Sequence, residues 1–162
     1  MDTNLLVQKM EKWLVVNMVT SGPTREYIDP VRYLSNESSG KQGYEIALAL
    51  SNLGVKTTLV TGPSKIKYSK DLKVKEVITA KQMMDAVKKL LPSDIVVCAA
   101  AVSDFKPKKI RTKKIKKDKD NLSSIELEKN SDILEFLGKN NRVRSRIVVG
   151  FSAETEDVIK NS

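Results

Sequence analysis

Apolar runs alternate with amphipathic segments along most of this chain, and the two kinds of segment predict strands and helices in turn. Uninterrupted apolar runs indicate strands buried on both faces, whereas residues 122–128 alternate apolar and polar as a half-exposed strand does. The predicted strands span residues 14–20, 56–61, 73–77, 94–102, 122–128 and 146–151. Repeated strand–helix alternation with right-handed crossovers predicts an α/β fold, a doubly wound, mostly parallel, Rossmann-like sheet with helices on both faces.

Capping signals place helices between these strands. The first helix spans residues 39–53. Thr79 and Gln82 have capping-box spacing at the start of the second helix, which ends before Pro92. The residues Asn130-Ser131-Asp132 cap a third helix, and a fourth opens just after the last strand.

Three loops of this predicted sheet are expected to converge on one cleft. Ligands of doubly wound sheets bind beyond the carboxyl ends of the strands, near the point where strand order reverses. The loops at that edge are residues 21–43, 102–117 and 151–154, the segments richest in polar residues of defined type. Topology and chemistry therefore predict the same site.

The length and composition fit one globular domain with a real core: 162 residues, 40% of them apolar and 30% charged. We expect residues 1–12 to be an N-terminal extension and residues 13–162 to form the domain. The last predicted helix has barely begun at residue 162, so we expect a fragment or a shortened gene product that lacks the C-terminal part of the domain.

A cytoplasmic location and no membrane contact are expected, because no apolar run approaches a membrane span and no secretion signal is evident. The single cysteine, Cys98, lies in an apolar run and suits a small core residue in a reducing compartment. Histidine is absent, which excludes Ser-His-Asp catalysis, histidine acid–base chemistry and histidine-ligated zinc.

The net charge of +9 is concentrated in one segment. Nine basic residues and one acid, Asp118, lie between Lys106 and Lys119, which gives that segment +8. One basic flap indicates a local anionic ligand or a nucleic-acid contact. Nucleic acid is the weaker interpretation, because Phe105, at the edge of the run, is the only aromatic residue beside these charges.

The loop between the first strand and the first helix carries the strongest anion-binding chemistry. It is not a dinucleotide fingerprint, because Gly-x-Gly-x-x-Gly is absent, and it is not a P-loop, because Ser39-Gly40-Lys41 is followed by Gln42. Gly22 and Gly40 nevertheless allow close backbone approach, and hydroxyls beside a helix start favour a phosphate or carboxylate. Arg32 adds positive charge.

Five segments of the chain together resemble phosphopantothenoylcysteine synthetase, the synthetase domain of the bacterial bifunctional coenzyme A biosynthesis flavoprotein. The segments are residues 20–43, 99–107, 114–117, 129–134 and 149–156, in the order and at spacings similar to those of the family. The decarboxylase domain that usually precedes this one, with its flavin site, is not in the sequence, so no flavin is expected.

The resemblance implies a two-step ligation. The carboxylate of 4′-phosphopantothenate attacks the α-phosphate of CTP, which gives an acyl-cytidylate and pyrophosphate, and the amine of cysteine then displaces CMP. Magnesium is the implied ion, and the preference for CTP over ATP comes only from the bacterial branch of the family. The implied partners are a second copy of the chain, as a homodimer, and a phosphopantothenoylcysteine decarboxylase.

The resemblance also implies roles for individual residues. Asn36 matches the catalytic asparagine that holds the substrate acyl group, and Lys114 matches the catalytic flap lysine over the triphosphate. The implied nucleotide-binding residues are Gly22, Ser39, Gly40, Asp104, Lys114, Asn130, Ser131, Asp132, Ile133 and Phe151. The implied substrate-binding residues are Arg32, Asn36, Ala100 and Ala101.

From residue chemistry alone, several of these positions keep a structural alternative. Asn36 and Asp104 also suit turns, Lys114 suits a solvated basic loop, and Phe151 suits the core. Arg32 suits a clamp on a phosphate or carboxylate and equally an ion pair with Glu26 or Asp29.

The metal ligands stay open. Glu154 and Glu156 suit magnesium, but carboxylates are common at helix starts without a metal. Ser131 stands where the family usually has proline, and both residues are compatible with a helix start.

Two other functions also remain open. One is a relative that binds nucleotide or phosphopantothenate without turnover. The other is a basic module that binds nucleic acid through residues 106–119.

Overall fold

The computed structural model describes residues 16–116, 124–139 and 145–153. The helices in this part of the chain are α1 (Lys41–Asn52), α2 (Ala80–Leu90) and α3 (Ile133–Lys139). The strands are β1 (Val16–Ser21), β2 (Arg25–Asp29), β3 (Arg32–Ser35), β4 (Lys56–Thr61), β5 (Lys73–Glu76), β6 (Ile95–Cys98), β7 (Phe105–Pro107), β8 (Leu127–Lys129) and β9 (Ile147–Gly150).

Five strands form one parallel sheet in the order β5-β4-β1-β6-β9. The chain leaves β1 towards β4 on one side, and β6 flanks β1 on the other side, so strand order reverses between β1 and β6. The predicted doubly wound parallel sheet is confirmed. A ligand is expected at the carboxyl ends of these two strands, near Ser21 and Cys98.

Apolar side chains bury both faces of the sheet. Successive residues of a strand point to opposite faces, and β1 shows this directly. Met18 belongs to a cluster with Met83 of α2 and Leu137 of α3, whereas Val19 packs in a cluster with Ala47 of α1. The helices therefore cover both faces, as predicted.

The helix boundaries follow local chemistry. The predicted capping box of α2 is present: the Gln82 amide donates to the Thr79 hydroxyl, and the Thr79 amide donates to the Gln82 side chain, each over 3.2 Å. The predicted start of α1 at residue 39 is two residues early. Gly40 has a φ of 78°, a left-handed conformation that cannot belong to the helix, and α1 begins after it.

Two hairpins were not predicted. β2 and β3 pair antiparallel within the predicted loop of residues 21–43. Further along the chain, β7 pairs antiparallel with β8. The strand predicted at residues 94–102 ends at Cys98, because the following residues turn to pair with the segment beyond β1, where the Ala101 amide donates to the Gly22 carbonyl over 3.0 Å. The helix predicted after residue 151 lies almost wholly outside the described residues.

Acidic residues in and beside the β7–β8 hairpin neutralise part of the positive charge of the basic flap. Lys106 of β7 lies 3.2 Å from Glu128 of β8, and Lys108 lies 3.7 Å from Glu126. Among the described residues, no helix is both long enough and apolar enough to cross a membrane.

A buried amide in the central strand gives a stability prediction. Asn17 is 1% exposed, and neither its Nδ2 nor its Oδ1 atom has a hydrogen-bond partner among the described residues. An unpaired buried polar group costs about 1–3 kcal/mol. We therefore expect Asn17→Leu to raise the melting temperature by roughly 2–12 °C, at about 2–4 °C per kcal/mol for a domain of this size.

Circular dichroism melts check this prediction, with Asn52→Leu as the matched control. Asn52 is exposed at the end of α1, so the same substitution there should change stability by no more than about 0.5 kcal/mol. A lower melting temperature for Asn17→Leu would mean that the buried amide is satisfied in solution.

Candidate functional site

Two glycines bring the first loop against the end of the sheet. Gly22 and Gly40 have φ values of 73° and 78°. A Cβ on Gly40 would lie 3.0 Å from the Gly22 Cα, so the two backbones touch. This contact places the start of α1 directly over the carboxyl end of β1.

The start of α1 presents backbone donors and hydroxyls. Gly40 is the N-cap and offers no side-chain cap to the helix. The Ser39 hydroxyl accepts from the Lys41 amide over 3.3 Å, and the Ser21 hydroxyl anchors the Gly40 carbonyl over 2.7 Å. The amides that follow Lys41 at this helix start receive no cap from the Gly40 position, and uncapped amides there favour an anion such as a phosphate.

Asn36 reaches the segment beyond β6. Its Nδ2 donates to the Ala101 carbonyl over 3.0 Å. That carbonyl also accepts from the Thr24 amide, and Ala101 forms a bridge with Pro23. The structure thus brings together Asn36 and Ala101, which lie 65 residues apart in the chain. The sequence motifs assign both residues to the same substrate.

The segment before α3 joins the same edge. Asn130 donates through Nδ2 to the Ser103 carbonyl over 2.8 Å and through its amide to the Asp104 carbonyl over 2.7 Å. Asp132 caps α3, because its Oδ1 accepts from the Glu135 amide over 3.0 Å. The predicted helix start is confirmed, and the loop after β6 is fastened to it.

The predicted binding residues differ in exposure. Asn36, Ser39, Asp104, Lys114, Ser131 and Asp132 are exposed. Gly22 and Gly40 are buried, and Ala100, Ala101 and Asn130 are intermediate. The side chain of Ile133 is buried in the core, so only its backbone faces the edge. Phe151 is 50% exposed beyond β9, which makes the alternative of a core phenylalanine wrong.

Cys98, at the end of β6, is not a reactive thiol. Burial raises the pKa of the Cys98 thiol to about 11, the nearby Asp132 carboxylate raises it as well, and a hydrogen bond with Thr20 opposes both. The thiol is therefore protonated at neutral pH, and its side chain packs against the core cluster as predicted.

Arg32 forms the ion pair that the sequence left open. Its Nη2 atom lies 2.7 Å from Asp29 Oδ2, and Nε donates to the same oxygen over 2.9 Å. Nη2 also donates to the Ile115 carbonyl over 2.6 Å. The partner is Asp29, whereas Glu26 is buried and accepts from the Ala80 amide at the start of α2. A substrate contact by Arg32 stays a prediction.

Asp29 is fully buried and accepts several hydrogen bonds. Burial acts to raise the pKa of its carboxyl, but hydrogen bonds from the amides of Ile115, Val31 and Arg32 and from the Arg32 side chain outweigh it and lower the pKa to about 2. The ionised carboxylate is thus built into the β2–β3 turn at every physiological pH.

The lowered pKa of Asp29 predicts an acid-sensitive fold. The pKa is about 2 in the folded chain and 3.8 in the unfolded chain, so the stabilisation is present above pH 4 and is lost as the pH falls from about 4 to 2. We expect the melting temperature to fall over this window, and to fall less steeply in Asp29→Asn. Equal slopes for the two proteins would contradict this assignment.

An open cleft of about 1490 Å³ lies beside Asn36. Its walls include Ser39, Pro63, Lys65 and Gln82, and the Ser64 hydroxyl fastens one wall to the first loop by donating to the Ser39 carbonyl over 2.8 Å. The cleft is large enough for an elongated substrate next to the start of α1.

The described residues contain no cluster of three or more histidine, cysteine or acidic side chains that could hold a metal ion. Magnesium commonly binds through one or two carboxylates together with the phosphates of its substrate, and needs no such cluster. Glu154 and Glu156, which the sequence left open between magnesium ligands and helix-start carboxylates, lie outside the described residues.

Sequence reasoning missed two groups that hold this edge together. The Thr24 hydroxyl accepts from the Ser103 amide over 3.0 Å, and the Thr24 carbonyl accepts from the Ser35 hydroxyl over 2.8 Å. Asp29 was considered only as a partner for Arg32, yet its Oδ2 also accepts from the Ile115 amide. No local signal marks these roles, because the partners lie far away along the chain.

The fold and the site define a Rossmann-like α/β domain whose helix start, amides and exposed polar side chains gather where strand order reverses. A family model, described as the DNA/pantothenate metabolism flavoprotein C-terminal domain, matches residues 15–162. The chain belongs to this family.

Individual relatives agree with the resemblance seen in the motifs. The chain is 43% identical over 143 residues to the coenzyme A biosynthesis bifunctional protein CoaBC of Bacillus subtilis, covering 87% of this chain and 34% of that protein. It is 41% identical over 138 residues to CoaBC of Borreliella burgdorferi, covering 85% and 35%. The chain thus spans about a third of the length of these curated relatives.

Solved structures give the same assignment. The crystal structure of the C-terminal domain of CoaBC matches with a TM-score of 0.77 at 37% identity, covering 91% of this chain and 68% of that one. A more distant structure, the Cab2 mutant H337A in complex with phosphopantothenate-cysteine, has a TM-score of 0.70 at 18% identity, covering 96% and 69%, and supports the fold alone. The predicted resemblance and fold class are confirmed.

Proposed function

We propose that this domain is a phosphopantothenate–cysteine ligase of coenzyme A biosynthesis. It activates the carboxylate of 4′-phosphopantothenate with CTP to an acyl-cytidylate and couples this to cysteine. The observation that carries the proposal is the 3.0 Å hydrogen bond from Asn36 to the Ala101 carbonyl, because it joins the proposed catalytic amide to the proposed acyl-binding segment. Membership of a family with CoaBC relatives supports the same reaction.

In the first half-reaction, the chain has to hold two anions against each other. The backbone at Gly22 and Gly40 and the start of α1 bind the phosphates, while exposed Lys114 neutralises charge that builds up as pyrophosphate leaves. Asp104 and the backbone of residues 130–133 hold the nucleoside, with Phe151 beside the base. Bound magnesium would supply further neutralisation of the nucleotide phosphates.

In the second half-reaction, the acyl group must stay in place while the cysteine amine attacks. Asn36 is anchored through Nδ2, so its Oδ1 atom is held in a fixed orientation at the end of the cleft. The Ala100–Ala101 backbone lines the other side of the acyl group. Positioning of this kind requires no histidine, which suits the composition of the chain.

The proposed ligase acts in the cytoplasm as a homodimer alongside a phosphopantothenoylcysteine decarboxylase that consumes its product. Apolar side chains exposed on the two hairpins support a dimer contact there. Val31, Tyr33, Ile110 and Leu127 are 41–65% exposed. Scattered exposed apolar residues are common, but exposed apolar side chains on two hairpins that contact each other suit a partner of the same kind.

Pyrophosphate release tests the proposal. The chain is incubated with 4′-phosphopantothenate, magnesium and either CTP or ATP, without cysteine, and CTP binding is measured in parallel by calorimetry. We expect release with CTP that exceeds release with ATP. Adding cysteine should then form the amide in the parent chain and much less of it in Asn36→Asp, because a carboxylate cannot donate to the Ala101 carbonyl.

The outcomes also separate the ligase from the two other candidate functions. CTP binding by a folded chain without any pyrophosphate release would support the relative that binds without turnover. Binding of RNA with a steep salt dependence, and no CTP binding, would support the nucleic-acid module instead.

A further inference from the structure

Asp29 and Arg32 hold the main chain of the basic flap by hydrogen bonds immediately beside Lys114, a pair of contacts called the grip below. The Ile115 amide donates to Asp29 Oδ2 over 3.1 Å, and the Ile115 carbonyl accepts from Arg32 Nη2 over 2.6 Å. The two atoms belong to consecutive peptide groups, and the first of these groups joins Lys114 to Ile115. One carboxylate–guanidinium pair therefore holds both peptide planes.

Packing strengthens this grip. The Ile115 side chain is 8% exposed, whereas its neighbours Lys114 and Lys116 are exposed. Nearby, the Arg111 amide donates to the Ile28 carbonyl of β2 over 2.9 Å. The flap is thus fastened to the β2–β3 hairpin at two points, with one buried apolar side chain between two solvent-facing lysines.

The same hairpin strand leads to the acyl site. β3 begins at Arg32 and ends at Ser35, one residue before Asn36. The hairpin is itself fixed to the rest of the domain, because Glu26 of β2 accepts from the Ala80 amide at the start of α2 over 2.8 Å. Lys114 and Asn36 are therefore both next to residues that belong to, or are bonded to, the same hairpin.

We propose that Asp29 is a positioning residue that acts through Arg32 and Ile115 to hold Lys114 over the nucleotide phosphates. A lysine side chain is long and flexible, so its useful reach depends on where the main chain places its Cα atom. Releasing the two peptide planes leaves the ammonium group free to sample positions away from the phosphates. A displacement of about 1 Å can cost about a hundredfold in rate.

The informative substitution is Asp29→Asn. Asp29 Oδ1 accepts from the Val31 and Arg32 amides of the turn, each over 2.9 Å, and an asparagine oxygen can keep these bonds. Its Nδ2 then faces the Ile115 amide, so two donors oppose each other and the grip on the flap is lost while the turn is kept. Asp71→Asn, at an exposed loop position, is the matched control.

The inference rests on the proposed function of Lys114, and a double-mutant cycle with Lys114→Gln tests it. In the parent chain, Asp29→Asn should lower pyrophosphate release about 10- to 100-fold and weaken CTP binding, and it should speed hydrogen exchange in the segment that contains Ile115. In the Lys114→Gln background, the same substitution should lower neither rate nor affinity further. Asp71→Asn should change none of these quantities.

An equal loss from Asp29→Asn in both backgrounds would overturn the inference, because a purely structural effect does not depend on Lys114. Unchanged CTP affinity and unchanged pyrophosphate release, despite faster exchange, would also overturn it. If Asp29→Asn does not fold, Arg32→Lys replaces it in the CTP-binding and hydrogen-exchange measurements, which contain no 4′-phosphopantothenate, since lysine keeps the charge beside Asp29 but lacks the fork that reaches the Ile115 carbonyl.

The cycle also separates this inference from the proposed function. If the chain binds CTP but releases no pyrophosphate, the proposed ligase function is wrong. The double-mutant cycle is then measured with the dissociation constant for CTP in place of the rate. A chain that does not bind CTP at all overturns both.

Discussion

Replacing Lys114 with glutamine is expected to lower pyrophosphate release about 100- to 1000-fold, the effect of removing one preorganised group that stabilises transition-state charge. Lys114 is exposed at the flap, and the main chain beside it is held by the buried Asp29. Glutamine keeps the length and polarity of the side chain but lacks the charge. The rate should fall much more than the affinity for CTP, because the charge matters most as pyrophosphate leaves.

The neighbouring lysine provides the control. Lys113→Gln removes the same charge from the same exposed segment, one residue away along the chain. We expect less than about a threefold change, since loss of an isolated surface charge mainly alters long-range attraction. Equal losses for both variants would show that the flap acts through its total charge and that Lys114 has no special position.

Replacing Gly62 with alanine is expected to destabilise the domain by about 3 kcal/mol, at the upper end of overpacking costs. An added Cβ would overlap the carbonyl oxygen of Pro23, and because that obstacle is backbone, no side-chain rotation relieves the clash. The melting temperature should fall by roughly 6–12 °C. Affinity for 4′-phosphopantothenate should fall too, because Pro23 is paired with Ala101, a residue proposed to line the acyl group.

Gly138→Ala is the matched control for this prediction. Gly138 lies within α3, and a Cβ added there would meet nothing within 4 Å. Alanine in a helix is about 0.5–1 kcal/mol more favourable than glycine, so this variant should melt at the same or a slightly higher temperature. A similar loss of stability in both variants would rule out the clash with Pro23 as the cause.

Local rules were sufficient for the elements of the sheet. The apolar run at residues 56–61 corresponds to β4, and the Thr79–Gln82 capping box starts α2 where predicted. Such signals depend on residues a few positions apart, so they can be recognised from the sequence alone. The hairpin of β2 and β3 was not predicted, because its strands are short and because hydrogen bonds to α2 and to the flap help to hold it.

The candidate site was predicted only in part, because motifs are local in sequence whereas several contacts of the site are not. Motif resemblance named Asn36, Ala101 and Lys114, and the structure joins Asn36 to Ala101 by a hydrogen bond. The roles of Thr24 and Asp29 depend on partners beyond β6, which no local pattern can reveal.

The bonds that assemble this edge join residues far apart in the chain. The sequence separations are 65 residues for Asn36 and Ala101, 79 for Thr24 and Ser103, and 86 for Asp29 and Ile115. Contacts between distant residues require most of the chain to be ordered first, and folds dominated by them form slowly. Ligand-binding competence should therefore appear late in refolding, together with the last native tertiary contacts and well after the helices.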